Sequence, residues 1–142
     1  MQDLEFQKYL SKKTDIELAI IKDLFENARE GEFDVALKLI EVYGIDKATL
    51  GKLWGSYIGF AYVDPNMSIV NPELIKKVGA DFILKNRALP LYKFGRAVTV
   101  STCNPTNPFI QDKLEKKLED LVSFVFCFPF DIKTYLKNSI PK

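Results

Sequence analysis

Composition and apolar spacing change once along this chain, at Gly59. Before it the apolar residues recur at helical intervals. After it short alternating runs are separated by Pro-, Gly- and Asn-containing turns. A chain of 142 residues with such a break is expected to form one domain or two small subdomains. The spacing predicts a helical subdomain over residues 1–59 and an α/β subdomain over residues 60–142. The fold class is α/β (α+β), with a small mixed sheet of about four strands covered by helices.

In the first part, Leu4, Phe6, Tyr9 and Leu10 make a short apolar stripe. Thr14 with Glu17 has the spacing of a capping box and predicts a helix start at Thr14. Ile16, Ala19, Ile20, Leu24 and Phe25 give that helix its face, and Glu30-Gly31 ends it. Asp34 is placed to cap the next helix, with Leu37, Ile40 and Val42 or Tyr43 facing inward and Gly44 as its stop. Asp46 caps a third, through Leu50, Leu53, Trp54, Tyr57 and Ile58. Short connections make these helices antiparallel neighbours.

In the second part, Phe60–Val63 reads as a strand closed by Asp64-Pro65-Asn66. Asn71-Pro72-Glu73 opens a helix that breaks at Gly79, and Ala80–Asn86 adds a turn or two. Ala88–Tyr92 reads as a strand whose Pro90 belongs at an edge or an end. Lys93–Arg96 is a hairpin turn, and Ala97–Cys103 pairs back. A helix over about Phe109–Leu118 leads to a buried strand, Val122–Phe128, stopped by Pro129. Phe130–Lys137 closes the chain as a helix. Alternation puts Phe124, Phe126 and Phe128 on one strand face, which a helix-covered sheet explains better than a base-stacking platform.

Composition excludes several chemistries. The chain has no His, so imidazole bases, His-containing zinc sites and Ser-His-Asp catalysis are excluded. Ser56, Ser101 and Ser123 have no base to activate them. Cys103 and Cys127 cannot make a four-ligand zinc site alone and read as free thiols on strands, buried rather than functional. Gly51-Lys52 lacks the earlier glycine of a phosphate loop, and there is no G-x-G-x-x-G. Glu115 and Glu119 lie one turn apart among Lys113, Lys116 and Lys117 and read as a solvated face. No catalytic residue, metal or cofactor is expected.

The net charge of +1 argues against a nucleic-acid partner. Eight acids stand against five bases before Phe33, and twelve bases against eight acids after Phe60, a mild division that ordinary solvated faces explain. Met1-Gln2-Asp3-Leu4-Glu5 is not a signal peptide, and no apolar run approaches the roughly 20 residues of a membrane span. A cytoplasmic, reduced protein is expected.

The order of elements after Gly59 resembles a known family. Phe60-Ala61-Tyr62-Val63-Asp64 is followed by Asn71-Pro72-Glu73-Leu74-Ile75-Lys76-Lys77-Val78. Leu89-Pro90-Leu91 comes next, then Val98-Thr99-Val100-Ser101-Thr102-Cys103-Asn104-Pro105-Thr106-Asn107, and last a helix, a strand and a closing helix with Tyr135. This is similar to the N-terminal domain of type II secretion and type IV pilus assembly ATPases. Asn104 stands where the family usually has Asp, and Ser101 where it has a small residue; both keep the turn.

The resemblance implies an α/β domain without catalysis, the ATPase core lying further along a full-length chain. It implies docking to the cytoplasmic part of an inner-membrane platform protein, with the membrane reached only through that partner. Aromatic anchors dominate such interfaces, so Leu50, Trp54 and Tyr57 are the candidate contacts, although helical spacing also suits Trp54 and Tyr57 to a core. A branch of the family binds cyclic di-GMP through a helical motif that begins Arg-Leu-Gly. The matching positions here are Val35, Ala36 and Leu37, so those ligand residues do not carry over. Arg29, Arg87 and Arg96 are the only guanidinium groups. A cyclic di-GMP sensor and a stand-alone adaptor remain as alternatives.

Overall fold

The computed structural model describes residues 3–139. Met1 and Gln2, at the head of the N-terminal stretch read above, lie outside the described residues. The chain forms two compact units, a helical one ending at Ile58 and an α/β one beginning at Gly59.

In the helical unit, α1 (Leu4–Thr14) starts at Asp3, whose carboxylate accepts from the N–H groups of Glu5 and Phe6 at 3.0 and 3.2 Å. Thr14 therefore ends a helix and does not begin one. Its hydroxyl donates back to the Leu10 carbonyl at 2.6 Å, a bond available only inside the last turn, and Asp15 closes the helix at φ +62°. The next helix, α2 (Leu18–Glu26), begins after Glu17 and buries Ile21, leaving Ala19 exposed.

The expected face of α3 (Phe33–Glu41) is also overturned: Val35, Ala36 and Leu39 are buried, whereas Leu37, Val42 and Tyr43 reach solvent. Apolar residues occupy two sides of this segment, so the period alone does not set the phase; packing on its neighbours α2 and α4 does. Asp34 lies inside the first turn and accepts from the Glu30 N–H at 2.9 Å instead of capping. Gly44, at φ +70°, turns the chain after α3. Asp46 caps α4 (Lys47–Ile58) as the sequence predicts, accepting from the Thr49 N–H and hydroxyl, both at 3.0 Å. Each helix packs on the next, and α1 closes on α4.

In the α/β unit the sheet has three strands where about four were expected. Segment Ala61–Val63 makes only one parallel bridge, Tyr62 with Phe126, through Val63 N–H to Phe126 O at 2.8 Å and Phe126 N–H to Ala61 O at 2.7 Å. Two turns cut it short. Gly59 at φ +87° bends the chain on one side. On the other, Asp64 caps a 3₁₀ turn, Pro65–Met67, by accepting from the Asn66 N–H at 2.9 Å.

Asn71 caps α5 (Pro72–Val78), with Pro72 in its first turn, and Gly79 at φ +90° separates it from α6 (Ala80–Asn86). Strands β1 (Ala88–Phe94) and β2 (Ala97–Thr102) form an antiparallel hairpin turned at Gly95, φ +62°. Pro90 sits in the outer strand β1 beside a register irregularity between Pro90 and Tyr92, the edge position its missing N–H requires.

From β2, α7 (Pro108–Leu118), capped by Asn107, carries the chain to β3 (Leu121–Phe126). β3 runs parallel to β2, in register from Ala97–Leu121 to Thr102–Phe126. The predicted strand to Phe128 ends at Phe126. Cys127 still donates to Thr102 O at 3.1 Å, and Pro129 then opens α8 (Pro129–Ser139). Ile83, Leu89, Leu91, Val98, Val100, Leu114 and Ile132 are among the buried core of this unit.

Candidate functional site

The three residues expected to meet a partner occupy one face of α4, and the structure separates them. Leu50 is fully buried and Trp54 is 2% exposed. The indole ring lies edge-on to Phe6 with centroids 4.8 Å apart and stacks on Phe33 at 5.7 Å. Gly51 and Gly55 share this inner face, so neighbouring chain can approach the α4 backbone. Trp54 thus takes the core role that helical spacing allowed it, and Leu50 is core as well.

Tyr57 is 39% exposed. Its ring lies 4.7 Å from Phe6 and 5.1 Å from Tyr9, and its hydroxyl donates to Asp3 Oδ2 at 3.1 Å. Desolvation, and then the hydrogen bond to the Asp3 carboxylate, hold its phenol above the usual range. The Tyr9 hydroxyl donates to Leu53 O at 2.8 Å, so two tyrosines tie α1 to α4. Of the three candidates, Tyr57 alone is exposed.

Between α2 and α3 lies an open groove of about 660 Å³. Asp23, Glu30, Asp34 and Glu41 line it against Arg29 and Lys38, so its charge disfavours an anion. The other two arginines lie in the α/β unit. Arg87 caps α6 in the left-handed conformation, φ +53°, just before β1. Arg96 follows the turn at the far end of β1. A seven-residue strand spans about 20 Å, so these two guanidinium-bearing residues stand at opposite ends of one hairpin.

Sequence reasoning missed a buried polar network in the α/β unit. The Tyr62 hydroxyl donates to Asp131 Oδ2 at 3.0 Å, and the Phe128 N–H donates to the same oxygen at 3.0 Å. Asn66 donates from its side-chain amide to Asp64 Oδ1 at 2.8 Å and to Asp131 O at 2.9 Å. The Ser101 hydroxyl donates to Val63 O at 2.8 Å, and that of Thr102 to Arg87 O at 2.7 Å. Burial, then the Asp131 and Asp64 charges, push the Tyr62 phenol far above its ordinary value. Each bond fixes a turn or a strand end.

Beside the network, Tyr62, Phe126, Phe128 and Phe130 pack in sequence, with centroid separations of 5.7 Å for Tyr62–Phe128, 5.3 Å for Phe126–Phe128 and 4.9 Å for Phe128–Phe130. The alternating Phe run is core, with Phe126 and Phe128 fully buried. Cys127 is a buried free thiol pushed up by desolvation; Cys103 is half-buried. Glu115 is not a free solvated carboxylate, since it accepts from the Val122 N–H at 2.9 Å. Among the described residues no cluster of three or more Cys, Asp or Glu is arranged to hold a metal ion, and no helix is long and apolar enough to cross a membrane.

A helical unit followed by a three-stranded mixed sheet covered by helices, whose buried polar side chains fix turns and strand ends, defines a small α+β fold. The MshEN domain family matches residues 58–139, more than half of the chain. The chain belongs to that family, the non-catalytic N-terminal domain type of the type II secretion and type IV pilus assembly ATPases. A solved structure described as MshE with cdg has the same fold, with a TM-score of 0.65 at 14% identity, covering 99% of this chain and 100% of that one. No curated protein matches the chain.

Proposed function

We propose that this chain is a docking and regulatory module of a type II secretion or type IV pilus assembly ATPase and binds the cytoplasmic part of an inner-membrane platform protein. It would then act in the cytoplasm, peripheral to the inner membrane. The observation that carries this reading is the family match over residues 58–139. The exposed apolar side chains of the helical unit agree with it. Leu37, Val42 and Tyr43 lie on or just after α3, and Tyr57 on α4; aromatic and aliphatic groups of this kind supply interface anchors. The test is a pulldown and titration with the cognate platform protein's cytoplasmic domain. Binding at or below tens of micromolar supports the reading, and its absence with folded partners overturns it.

A second reading, a sensor of cyclic di-GMP, is supported by the whole-chain likeness to MshE with cdg. Against it stand Val35, Ala36 and Leu37 at the Arg-Leu-Gly positions, an acidic α2–α3 groove and the separation of Arg87 from Arg96. Such a ligand is ordinarily gripped by forked or stacked guanidinium groups. Calorimetric titration decides: a dissociation constant near or below about 1 μM makes the chain a receptor, and no heat from the folded protein leaves docking.

A further inference from the structure

The solvent side of α7 is divided by charge. Phe109, Lys113, Lys116 and Lys117 recur at i, i+4, i+7 and i+8 and share one flank; Asp112 and Glu115, at i and i+3, lie on the other, and Glu119 follows the helix as its left-handed C-cap. The acidic flank is partly committed inward, through Glu115 to the Val122 N–H. The basic flank is open. Lys113, Lys116 and Lys117 are exposed, and none has an ion pair among the described residues.

The flank continues onto α6, because the Lys117 ammonium lies 5.1 Å from the centre of the Phe82 ring. Lys85 stands one turn on from Phe82 and is also unpaired, though Asp81 lies one turn before it. At the N-terminal end of the flank, Phe109 is 74% exposed. A bare phenylalanine beside a row of lysines is the pattern of a surface that lies against an anionic membrane. The ring enters the headgroup boundary, and the ammonium groups stay in water on their aliphatic stems.

We propose that the Phe109–Lys117 flank of α7, extended by Lys85, is a contact surface for anionic lipid headgroups. Charge complementarity selects the occupant. The patch holds lysines and no arginine, so it offers diffuse point charges and no fork to recognise a particular carboxylate or phosphate. It lies along the outer side of a helix, where a planar charged surface fits. The direct lipid contact adds to the attachment through a partner protein that the family resemblance implies. It does not rest on the docking proposal, whose candidate side chains lie in the helical unit, and the two can fail separately.

The purified 142-residue protein would be sedimented with phosphatidylcholine vesicles, with and without about one-third phosphatidylglycerol, at low and near-physiological salt. The expected result is binding to the anionic vesicles alone, weakened by salt. Each lysine near such a surface contributes about fivefold, so the triple variant Lys113→Glu, Lys116→Glu, Lys117→Glu should bind at least about tenfold more weakly, with circular dichroism and melting unchanged. Phe109→Ser should lower binding severalfold at either salt. Asp112→Asn, on the opposite flank, should keep at least the original binding.

No binding of the folded protein to anionic vesicles at low salt overturns the proposal. So does a triple variant that is folded and binds as well as the original. Binding to soluble polyglutamate without binding to vesicles also overturns it and assigns the flank to an acidic protein partner.

Discussion

The Glu115 carboxylate accepts a hydrogen bond from the Val122 backbone N–H at 2.9 Å, reaching from the last turns of α7 to the second residue of β3. Gln111, one turn earlier, donates to Val122 O at 3.5 Å. The neighbouring strand β2 lies on the other side, and two residues on from Phe124, Phe126 turns its own N–H and C=O to segment 61–63. The outer edge of β3 is therefore closed at one end by side chains and at the other by one bridge, leaving no long row of free backbone groups to pair with another chain.

Glu115→Ala should cost about 1–2 kcal/mol, the net value of a hydrogen bond to a charged group together with the freed edge N–H. Glu115→Gln keeps an acceptor oxygen and should lose less. Urea denaturation of the two variants checks this. If Ala and Gln are equally stable, the acceptor has no part in holding the edge. Concentration-dependent association of the Ala variant would report the opened edge directly.

The Tyr62–Asp131 bond gives the α/β unit a pH limit. The Tyr62 phenol is raised by burial and by the nearby Asp131 and Asp64 charges. A phenol raised in the folded state stays protonated there while the unfolded chain ionises. Its contribution is complete below pH about 10, the ordinary tyrosine value, and declines as pH rises beyond it. Tyr62→Phe should be less stable near neutrality by about 1–3 kcal/mol, through the loss of one donor to a buried carboxylate. It should also lose stability less steeply above pH 10 than the original. Parallel slopes for the two proteins between pH 10 and 12 would show that Tyr62 does not govern the alkaline limit. In an absorbance titration, Tyr62 should ionise only with unfolding.

What could be read from the sequence was what is settled within a few residues. Asp46 and Asn71 each cap a helix through an N–H two or three positions away, and Pro90 stated its own edge position. Thr14 misled because Thr-x-x-Glu fits the last turn of one helix as well as the first of another, and the hydroxyl's choice of the Leu10 carbonyl is made by tertiary packing. The face of α3 could not be phased from a segment apolar on two sides. Tyr62 and Asp131 are 69 positions apart, and no local pattern joins them. The basic flank of α7 was visible as lysines around Glu115 and Glu119, but only the inward turn of Glu115 and the bareness of Phe109 distinguish its two sides.

The two thiols should behave differently. Cys127 is fully buried, and desolvation pushes its thiol well above the ordinary value, whereas Cys103 is half-buried. Since the thiolate is the reactive form, an aromatic disulfide reagent at pH 8 should label at most Cys103 in the folded protein and both residues in denaturant. Rapid modification of two thiols in the native state would contradict the burial of Cys127. Cys127→Ser should cost more stability than Cys103→Ser, because Cys127 is fully buried, so the more polar hydroxyl is desolvated there, whereas Cys103 is only half-buried.

Trp54 and Tyr57 separate the core of the helical unit from its surface. Trp54→Ala removes a ring packed on Phe6 and Phe33 and leaves a cavity, so it should cost about 3–5 kcal/mol and lower the melting temperature sharply. As the one tryptophan in the chain, it also reports its own environment: fluorescence should be blue-shifted in the folded protein and move red on unfolding. Tyr57→Phe keeps the ring against Phe6 and Tyr9 but removes the hydroxyl bond to exposed Asp3, which should change stability by less than about 1 kcal/mol. Tyr57→Arg loses the packing on Phe6 and Tyr9 and should melt lower while staying folded; it should weaken the platform partner at least about tenfold if this ring edge lies in the interface. If folded Tyr57→Arg binds the partner as before, the docking surface lies away from Tyr57. The exposed side chains Leu37, Val42 and Tyr43 then become the next residues to change.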